Sequence, residues 1–357
     1  MHELEIKKFR CFNQKKFEFC KPVTVIVGDN GSGKTSLAEA IHYLCYMKSF
    51  RTHAAIDLIE HQQDSFFLRG SFSQASADMH TIQVGYAQKK KTVKIDGRVI
   101  GAYKDVIDSF QVITLLEDDI NLVKGSPTGR RSFIDQAVLF CNSEYLDLYK
   151  NFKRILQSRN MLLQKGIFDK LEMDIWTQKL WEASCVIHKY RCQALEKITV
   201  SINNLLKEFF DDIYTVSIKY DSKYIDTEKS FDDFKHKNVS LFRQELLYKR
   251  SNFGAHLDDF YFTIKGKNAR SFASRGQQKL VALLCKLSLV DLAKQEDFSP
   301  TLIVDDFIAD FDEKRLSSIV NFFIKCKNQV IITMPFYDSD LKKIIQKADP
   351  DVLSMKN

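Results

Sequence analysis

One short segment combines glycines, a lysine and a threonine at a spacing suited to binding phosphate groups. It follows the pattern G-x-x-x-x-G-K-[ST] and is preceded by the apolar run Pro22 to Val27. In such a loop the backbone N–H groups surround the phosphates of a nucleotide, the lysine reaches the β- and γ-phosphates, and the hydroxyl holds Mg²⁺. We therefore predict a P-loop, with Lys34 also catalytic and Thr35 a metal ligand. The predicted nucleotide contacts are Gly28, Asp29, Asn30, Gly31, Ser32, Gly33, Lys34 and Thr35.

Two acids follow another apolar run far downstream, in the sequence Thr301 to Asp306. A P-loop site needs a carboxylate at the end of a buried strand to hold the metal. We assign this role to Asp305 and expect Asp306 to orient or deprotonate the attacking water. The alternative is a strand that simply meets solvent at its end.

The segment Ser274-Arg275-Gly276-Gln277 resembles the signature motif of ABC-type ATPases and lies about 30 residues before the acids. A serine hydroxyl and a glycine N–H at the start of a helix suit the γ-phosphate of ATP. In ABC proteins this motif faces ATP bound to another subunit. The resemblance therefore implies an ATP-dependent homodimer, with Ser274, Gly276 and Gln277 as contacts. An ordinary helix N-cap is the alternative.

Hydrophobic periodicity indicates the elements that position these motifs. Strand patterns run from residue 66 to 100, and Asp96-Gly97 predicts a hairpin turn between two of the strands. Helical periodicity then extends over long stretches, which predicts two long antiparallel helices joined near Lys165-Gly166. After Leu257 the pattern alternates between strand and helix, with a buried helix following the Ser274 motif.

These patterns predict an α/β fold: an ABC-type P-loop ATPase head, with a mixed sheet and an antiparallel meander, interrupted by an inserted helical second lobe. A chain of 357 residues exceeds the usual size of one hydrophobic core, which agrees with a second lobe. The predicted boundaries are 1–122 and 250–357 for the two halves of the head and 123–249 for the helical lobe.

Composition excludes several other classes of protein. Hydrophobic residues make up 45% of the chain and charged residues 28%, which is ordinary for a globular protein. No apolar run approaches the roughly 18 residues of a membrane span, so we expect a cytoplasmic protein. The eight cysteines form no C-x-x-C pair, and we predict buried thiols rather than a zinc site or disulfides.

Taken together, several motifs resemble the RecF family of bacterial recombination mediators. They are LEIKKFRCF, GDNGSGKT, KSFRT, LVKGSPTGRRSFID, GAHLDDF, ASRGQQK and LIVDDFIADFD, in this order along the chain. The resemblance implies an ATP-driven dimer with slow ATP hydrolysis that binds gapped DNA and single-strand/double-strand junctions. It also implies work with RecR and RecO in loading RecA, and a part in SOS induction. ATP and Mg²⁺ are the implied cofactors.

The net charge of +7 is compatible with DNA as a partner. Within the RecF-like motifs the candidates for DNA phosphate contacts are Arg51, Lys124, Arg130 and Arg131. For the Arg130-Arg131 pair, a purely structural pairing with Asp135 remains equally compatible with the spacing. The chain also departs from the family pattern G-P-H-R-D-D, because Ala255 and Leu257 replace its proline and arginine.

Two other functions remain as alternatives, a transporter-type ABC subunit and an SMC-like structural ATPase, neither acting on DNA gaps. Transporter subunits keep the P-loop and the strand acids much closer than the 271 residues that separate Lys34 from Asp305 here. They also carry a switch histidine, whereas Thr333 and Met334 occupy that position in this chain. The long arms of SMC proteins need many more heptads than the helical region provides.

Overall fold

The computed structural model describes residues 1–73, 79–101, 105–106, 110–166, 169–210, 214–223, 230–294, 299–308, 311–334 and 339–355. The chain divides into two compact units. Unit 1 comprises residues 1–119, 205–212 and 286–357, and unit 2 comprises residues 120–204 and 213–285. Residues 250–285, which the sequence analysis assigns to the head, belong to unit 2 in this division. The predicted boundaries remain predictions.

The described residues of unit 1 form two sheets, three α-helices, a π-helical turn and 3₁₀ turns at Ala55–Leu58 and Glu117–Ile120, and they include the ends of two helices that begin in unit 2. Its strands are β1 (Glu3–Phe9), β2 (Phe12–Glu18), β3 (Val23–Gly28), β4 (Ser65–Ser73), β5 (Met79–Ala87), β6 (Lys90–Ile95), β7 (Arg98–Val99), β8 (Val112–Leu116), β12 (Thr301–Asp305), β13 (Val330–Met334) and β14 (Asp351–Met355). The helices are α1 (Lys34–Tyr46), α10 (Glu313–Cys326), α11 (Ser339–Gln346) and a π-helical turn at Leu206–Phe210.

The first sheet of unit 1 is antiparallel, with six strands in the order β2-β1-β4-β5-β6-β7. The meander that the sequence predicts after residue 65 forms its larger half. Asp96 and Gly97 have φ angles of 47° and 78°, which places both in the left-handed region that a tight hairpin requires. The predicted hairpin is therefore confirmed.

The second sheet of unit 1 has five strands in the order β14-β3-β13-β12-β8, and every neighbouring pair is parallel. In a parallel sheet the carboxyl ends of all strands lie along the same edge, which is where α/β proteins bind their ligands. Gly28, Asp305, Thr333 and Leu116 therefore meet at one edge, although they come from four distant parts of the chain. The strands β12 and β13 are buried throughout, as their uninterrupted apolar runs predict.

Helix α1 packs against strands of both sheets. Its apolar face carries Leu37, Ile41 and Leu44, each fully buried, against Phe9 and Phe66 of the antiparallel sheet. This burial holds the start of the helix, and with it the P-loop, in a fixed place relative to the strand ends.

Unit 2 contains the long helices and a small sheet. Its helices are α2 (Asn121–Lys124), α3 (Pro127–Cys141), α4 (Tyr145–Lys165), α5 (Lys170–Leu205), α6 (Phe231–Lys237), α7 (Val239–Tyr248), α8 (Ala269–Phe272) and α9 (Arg275–Lys294), whose last residues belong to unit 1. Its strands are β9 (Val216–Asp221), β10 (Asp259–Ile264) and β11 (Lys267–Asn268), which pair antiparallel in the order β11-β10-β9. Gly166 ends α4 with a φ of 74°, so the predicted junction between two long helices is confirmed.

The prediction for the cysteines is only partly right. Cys45, Cys285 and Cys326 are buried, whereas Cys11 and Cys20 are exposed, and the prediction of a buried thiol is wrong for these two. Cys11 lies in the turn between β1 and β2, outside the buried face of these strands, which is why it is exposed. Among the described helices none is both long and apolar enough to cross a membrane.

Candidate functional site

The P-loop connects β3 to α1, as its motif predicts. Gly31 and Gly33 have φ angles of 87° and 98°, in the region that residues with a side chain rarely adopt. Gly33 is also crowded, because a Cβ atom there would lie 2.7 Å from Sγ of Cys11 and 2.9 Å from the ring of Phe12. The φ angle favours glycine at both positions, and at Gly33 there is also no room for a side chain.

Gly28 is required for a different reason. A Cβ atom at this position would lie 2.6 Å from Oγ of Ser32 and 2.7 Å from the carbonyl oxygen of Met355. Met355 ends strand β14, which pairs with β3 in register up to Gly28. Gly28 thus allows the last strand of the chain to approach the start of the P-loop.

Lys34 is nearly buried, with 4% of its surface exposed, and turns back into the loop. Its Nζ donates hydrogen bonds to the carbonyl oxygens of Gly28 at 2.8 Å and Asp29 at 2.9 Å. The hydroxyl of Ser32 is buried in the same loop and has no hydrogen-bond partner. A buried donor without a partner and an ammonium held only by carbonyls suit a phosphate ligand.

Asp305 lies at the carboxyl end of β12, beside the first turn of α1. Its Oδ1 accepts a hydrogen bond from the hydroxyl of Thr333 at 2.6 Å and a longer one from Thr35 at 3.3 Å. Burial raises the pKa of Asp305, and these two hydroxyls together with the charges of Arg51 and Lys34 offset part of that effect. The structure therefore brings both predicted metal ligands, Thr35 and Asp305, into direct contact across 270 residues of sequence.

Asp306 follows directly and has a left-handed backbone, with a φ of 50°. Its N–H donates to the carbonyl oxygen of Thr333 at 3.3 Å, whereas its buried Oδ1 has no partner. Burial raises the pKa of Asp306, and the neighbouring charge of Asp305 raises it further. Strained backbone and an orphaned carboxylate oxygen are typical of functional positions.

Arg51 belongs to the periphery of this site. Its guanidinium lies 3.6 Å from the fully buried carboxylate of Glu39 on α1. Glu39 also accepts two hydrogen bonds of 2.7 Å from Arg10 and one from the hydroxyl of Ser49. The Arg51 side chain remains 47% exposed. Its charge lowers the pKa of Asp305, which relates Arg51 to the nucleotide site, and its contact with DNA stays a prediction.

The signature-like motif starts α9 in unit 2. The N–H of Gln277 donates to the hydroxyl oxygen of Ser274 at 3.3 Å, and the N–H of Ser274 donates to Oε1 of Gln277 at 3.0 Å. This reciprocal pair is a capping box, so Ser274 does serve as an N-cap. Ser274 is nevertheless exposed, and its O–H hydrogen stays available as a donor. The cap and a ligand contact are therefore compatible.

Arg130 is a structural residue rather than an exposed cation. Its guanidinium donates to both carboxylate oxygens of Asp259, at 2.6 and 2.9 Å, and to the carbonyl oxygen of Gly125 at 2.8 Å. Only 5% of its side chain is exposed. The suggested pairing with Asp135 is wrong, because Asp135 accepts from Arg191 and Tyr145 instead. A DNA contact by Arg130 does not fit this arrangement.

The other two cations of the same motif differ from Arg130. Arg131 is partly exposed and donates to the carbonyl oxygen of Asp258 at 2.9 Å, so at least one of its N–H groups serves the fold. Lys124, at the end of α2, is exposed. Of the three cations in this motif, Lys124 is therefore the most exposed candidate for DNA contact.

Sequence reasoning missed Thr333 as a site residue. In the sequence this position differs from transporters only by lacking a histidine, whereas in the structure its hydroxyl donates a hydrogen bond to the carboxylate of Asp305. The signal that could have found it is the parallel alignment of β12 and β13, which sets Asp305 opposite Thr333. Glu117, just past the end of β8, was likewise not assigned to the site, although its charge acts on Asp306.

Three features define the class as an ABC-type P-loop ATPase head: the parallel sheet with its P-loop after β3, the paired acids at the end of β12, which β13 separates from β3, and the signature-like helix start. The family model described as RecF/RecN/SMC N terminal domain matches residues 1–341. The chain belongs to this family, and in it to the RecF proteins.

Two curated relatives and one solved structure document this kinship. The chain is 31% identical to the DNA replication and repair protein RecF of Natranaerobius thermophilus, over 89% of this chain and 87% of the relative. It is 28% identical to the protein of the same name from Citrifermentans bemidjiense, over 93% and 92%. A solved structure of the recombination mediator protein RecF with ATP, of the RecFOR pathway, has a TM-score of 0.85 and 27% identity. That match covers 95% of this chain and 92% of that one.

Proposed function

We propose that this protein is an ATP-dependent DNA-binding protein of recombinational repair and replication restart. ATP would close a dimer that binds DNA at gaps and junctions, and the ATPase activity would be weak, slow and stimulated by DNA. One observation carries the proposal. Lys34, Thr35, Asp305 and Asp306 lie together at the carboxyl edge of the parallel sheet, in a chain whose relatives are RecF proteins.

The residues at this edge fit ATP and Mg²⁺. The orphaned hydroxyl of Ser32 and the P-loop N–H groups suit phosphate oxygens, and Lys34 can exchange its two carbonyl partners for phosphate. Thr35 and Asp305 supply the hydroxyl and the carboxylate that a magnesium site in a P-loop protein uses. When bound, the metal would neutralise charge that develops on the phosphates.

The chain itself would control the attacking water. The Oδ1 of Asp306, which has no hydrogen-bond partner, can accept its proton, and the raised pKa of this half-buried carboxyl makes it a better base than an exposed aspartate. Thr333 occupies the position where many transporters have a histidine, and its hydroxyl is already donated to Asp305. Lacking that histidine, the site is expected to hydrolyse ATP slowly.

The partners follow from the kinship rather than from the site. The relatives are named for DNA replication and repair, and the solved RecF structure for the RecFOR pathway. We therefore include in the proposal RecR as a direct partner, RecO and RecA loading downstream, a role in the SOS response, and the cytoplasmic location that the sequence predicts. The homodimer would place Ser274, Gly276 and Gln277 against ATP bound to the second subunit.

The test measures ATP-dependent dimerisation and binding to a gapped duplex, at several salt concentrations, for wild type, Lys34→Met and Ser274→Arg. Ser240→Arg is the matched control, because Ser240 is an exposed serine on α7. We expect ATP to promote dimerisation and DNA binding in wild type and control, and both effects to be lost in the two site variants.

DNA binding should weaken as salt increases, because contacts to phosphates release counterions. If the protein does not bind DNA, or if its DNA binding is unaffected by ATP and by both substitutions, the proposed DNA function is refuted. If Lys34→Met loses both effects and Ser274→Arg retains them, the proposed nucleotide site stands, but the signature motif is not part of it.

A further inference from the structure

One helix of unit 2 carries apolar side chains on its solvent-exposed side. Val239, Leu246 and Leu247 of α7 are 51%, 51% and 79% exposed, and the helix ends at Tyr248, which is 64% exposed. Leu246 and Leu247 follow Val239 by seven and eight residues, a spacing that places all three along one side of an α-helix. We call this stripe, together with the exposed Arg243 between its ends, the outer face of α7.

The inner side of α7 is already packed within unit 2. Leu241 is buried, and the ring of Phe242 lies nearly perpendicular to the rings of Phe234 and Phe253. These contacts hold the helix on its unit without any help from the outer face. A run of three exposed large apolar residues, from Leu246 to Tyr248, is unfavourable in water and is typical of a surface that binds another molecule.

A buried ion pair fixes the position of α7. Glu245 accepts hydrogen bonds from the guanidinium of Arg159 on α4, at 2.6 and 3.1 Å, and both side chains are almost fully buried. Glu245 also accepts from the N–H of Asn252 at 2.6 Å, which ties the segment after α7 to the helix. The outer face is therefore presented on an ordered support, which lowers the entropy lost when a partner binds.

The exposed charges of α7 and of the residues just after it are all positive. From residue 238 to residue 257 the sequence contains one acid, Glu245, and Arg159 neutralises it. The exposed cations are Arg243, Lys249 and Arg250, and in the part of the chain that the structure describes none of them pairs with a carboxylate. An apolar stripe bordered by unneutralised cations complements a partner that is apolar and acidic.

The side chains of the outer face favour a protein as this partner. Valine and leucine do not stack on bases, as the aromatic residues of single-strand binding proteins do. Apolar residues at positions i, i+7 and i+8 of a helix are instead the spacing with which one helix packs against another. An acidic amphipathic helix meets both the apolar and the charged requirement.

We propose that the outer face of α7 is a docking site for an acidic amphipathic helix of another protein. The apolar side chains of that helix cover Leu246 and Leu247, and its carboxylates pair with Arg243 and the cations after α7. The inference goes beyond the proposed function, because the outer face contains no residue of the nucleotide site and no candidate for DNA contact.

The first experiment selects ligands from a displayed library of short helical peptides of random composition. Peptides are selected on wild type and counter-selected on the double variant Leu246→Ala with Leu247→Ala, which should fold normally because both side chains are exposed. We expect the selected peptides to combine acidic residues with apolar residues at helical spacing. Selection of basic or non-helical peptides, or of none, would overturn the inference.

The second experiment measures the affinity of the most frequent peptide by fluorescence anisotropy, without nucleotide. Arg243→Glu plays no part in the selection, and it should raise the dissociation constant about tenfold or more. Lys189→Glu and Leu171→Ala are matched controls that should leave this constant unchanged, because both residues are exposed on α5. Unchanged affinity in Arg243→Glu, or equal loss in Lys189→Glu, would overturn the docking role.

Competition distinguishes the other possible occupants of the outer face. A single-stranded oligonucleotide and vesicles of anionic phospholipid serve as competitors of the labelled peptide, and wild type alone is examined by analytical ultracentrifugation. We expect neither competitor to displace the peptide, and Leu247→Ala to leave the oligomeric state unchanged. Displacement would assign the face to nucleic acid or membrane, and self-association that Leu247→Ala abolishes would assign it to a second copy; each result would overturn the inference.

Discussion

Replacing Arg130 distinguishes a structural ion pair from a DNA contact. Arg130→Ala removes two hydrogen bonds to Asp259 and one to Gly125, from a guanidinium whose side chain is only 5% exposed. The carboxylate of Asp259 would stay behind without its cation, and its side chain is 27% exposed. Removing one member of a fully buried pair costs about 3–5 kcal/mol, and the partial exposure of Asp259 reduces this to about 2–4 kcal/mol.

The assay is urea-induced unfolding, combined with the double-substitution cycle of Arg130→Ala and Asp259→Ala. We expect the double variant to be destabilised by clearly less than the sum of the single variants, because the second substitution removes the uncompensated charge. Lys124→Ala is the matched control in the same motif. Its side chain is exposed, so its stability should change by less than about 0.5 kcal/mol.

DNA binding provides the complementary measurement. Lys124→Ala should reduce the magnitude of the slope of log affinity against log salt concentration by about one unit, which corresponds to one phosphate contact. A correctly folded Arg130 variant should leave that slope unchanged. If Arg130→Ala unfolds like wild type but loses one unit of salt slope, the structural assignment of Arg130 is wrong.

Three further predictions concern the nucleotide-binding unit. Burial lowers the pKa of His42 to about 3, so the unfolded chain binds more protons at this residue between pH 3 and 6.5; the contribution of His42 to the free energy of unfolding should fall by about 2 kcal/mol from pH 7 to pH 5, measured as the difference in pH dependence between wild type and His42→Asn. Gly28→Ala should cost about 1–3 kcal/mol in a thermal or urea melt, because its Cβ would meet the carbonyl of Met355 in a paired strand. Thr333→Val removes a donor to the buried Asp305 and should weaken binding of magnesium-ATP about tenfold by calorimetry, whereas unchanged affinity would contradict this role.

The features that were predictable from sequence are local ones. The P-loop needs left-handed glycines at positions set by its own backbone, and Gly31 and Gly33 have those angles. The hairpin at Asp96-Gly97 and the helix junction at Gly166 follow from the same rule. The spacing of apolar residues likewise predicted the long helices and the buried strands. A helix that buries one face repeats apolar residues at helical spacing, and a strand that is buried on both faces is a continuous apolar run.

Other features depend on contacts between residues far apart in the chain, which periodicity does not encode. The carboxylate partner of Arg130 is Asp259, 129 residues away, although Asp135 is closer in sequence and of the same type. The hydroxyl that holds Asp305 comes from Thr333 only because β12 and β13 align in parallel with those residues opposite each other. Register between strands is set by the whole sheet, so neither partner could be assigned in advance.

The amino-acid sequence by itself determined the chemistry of the site, because a phosphate-binding loop and a strand-end acid pair are recognisable from residue types at short spacing. The tertiary structure decided which charges remain available. It buried Arg130 and Glu39 in ion pairs, left Lys124 exposed, and brought Gly28 against β14. The physical reason is that a charge is neutralised by its nearest neighbours in space, and those neighbours are set by packing of the whole chain.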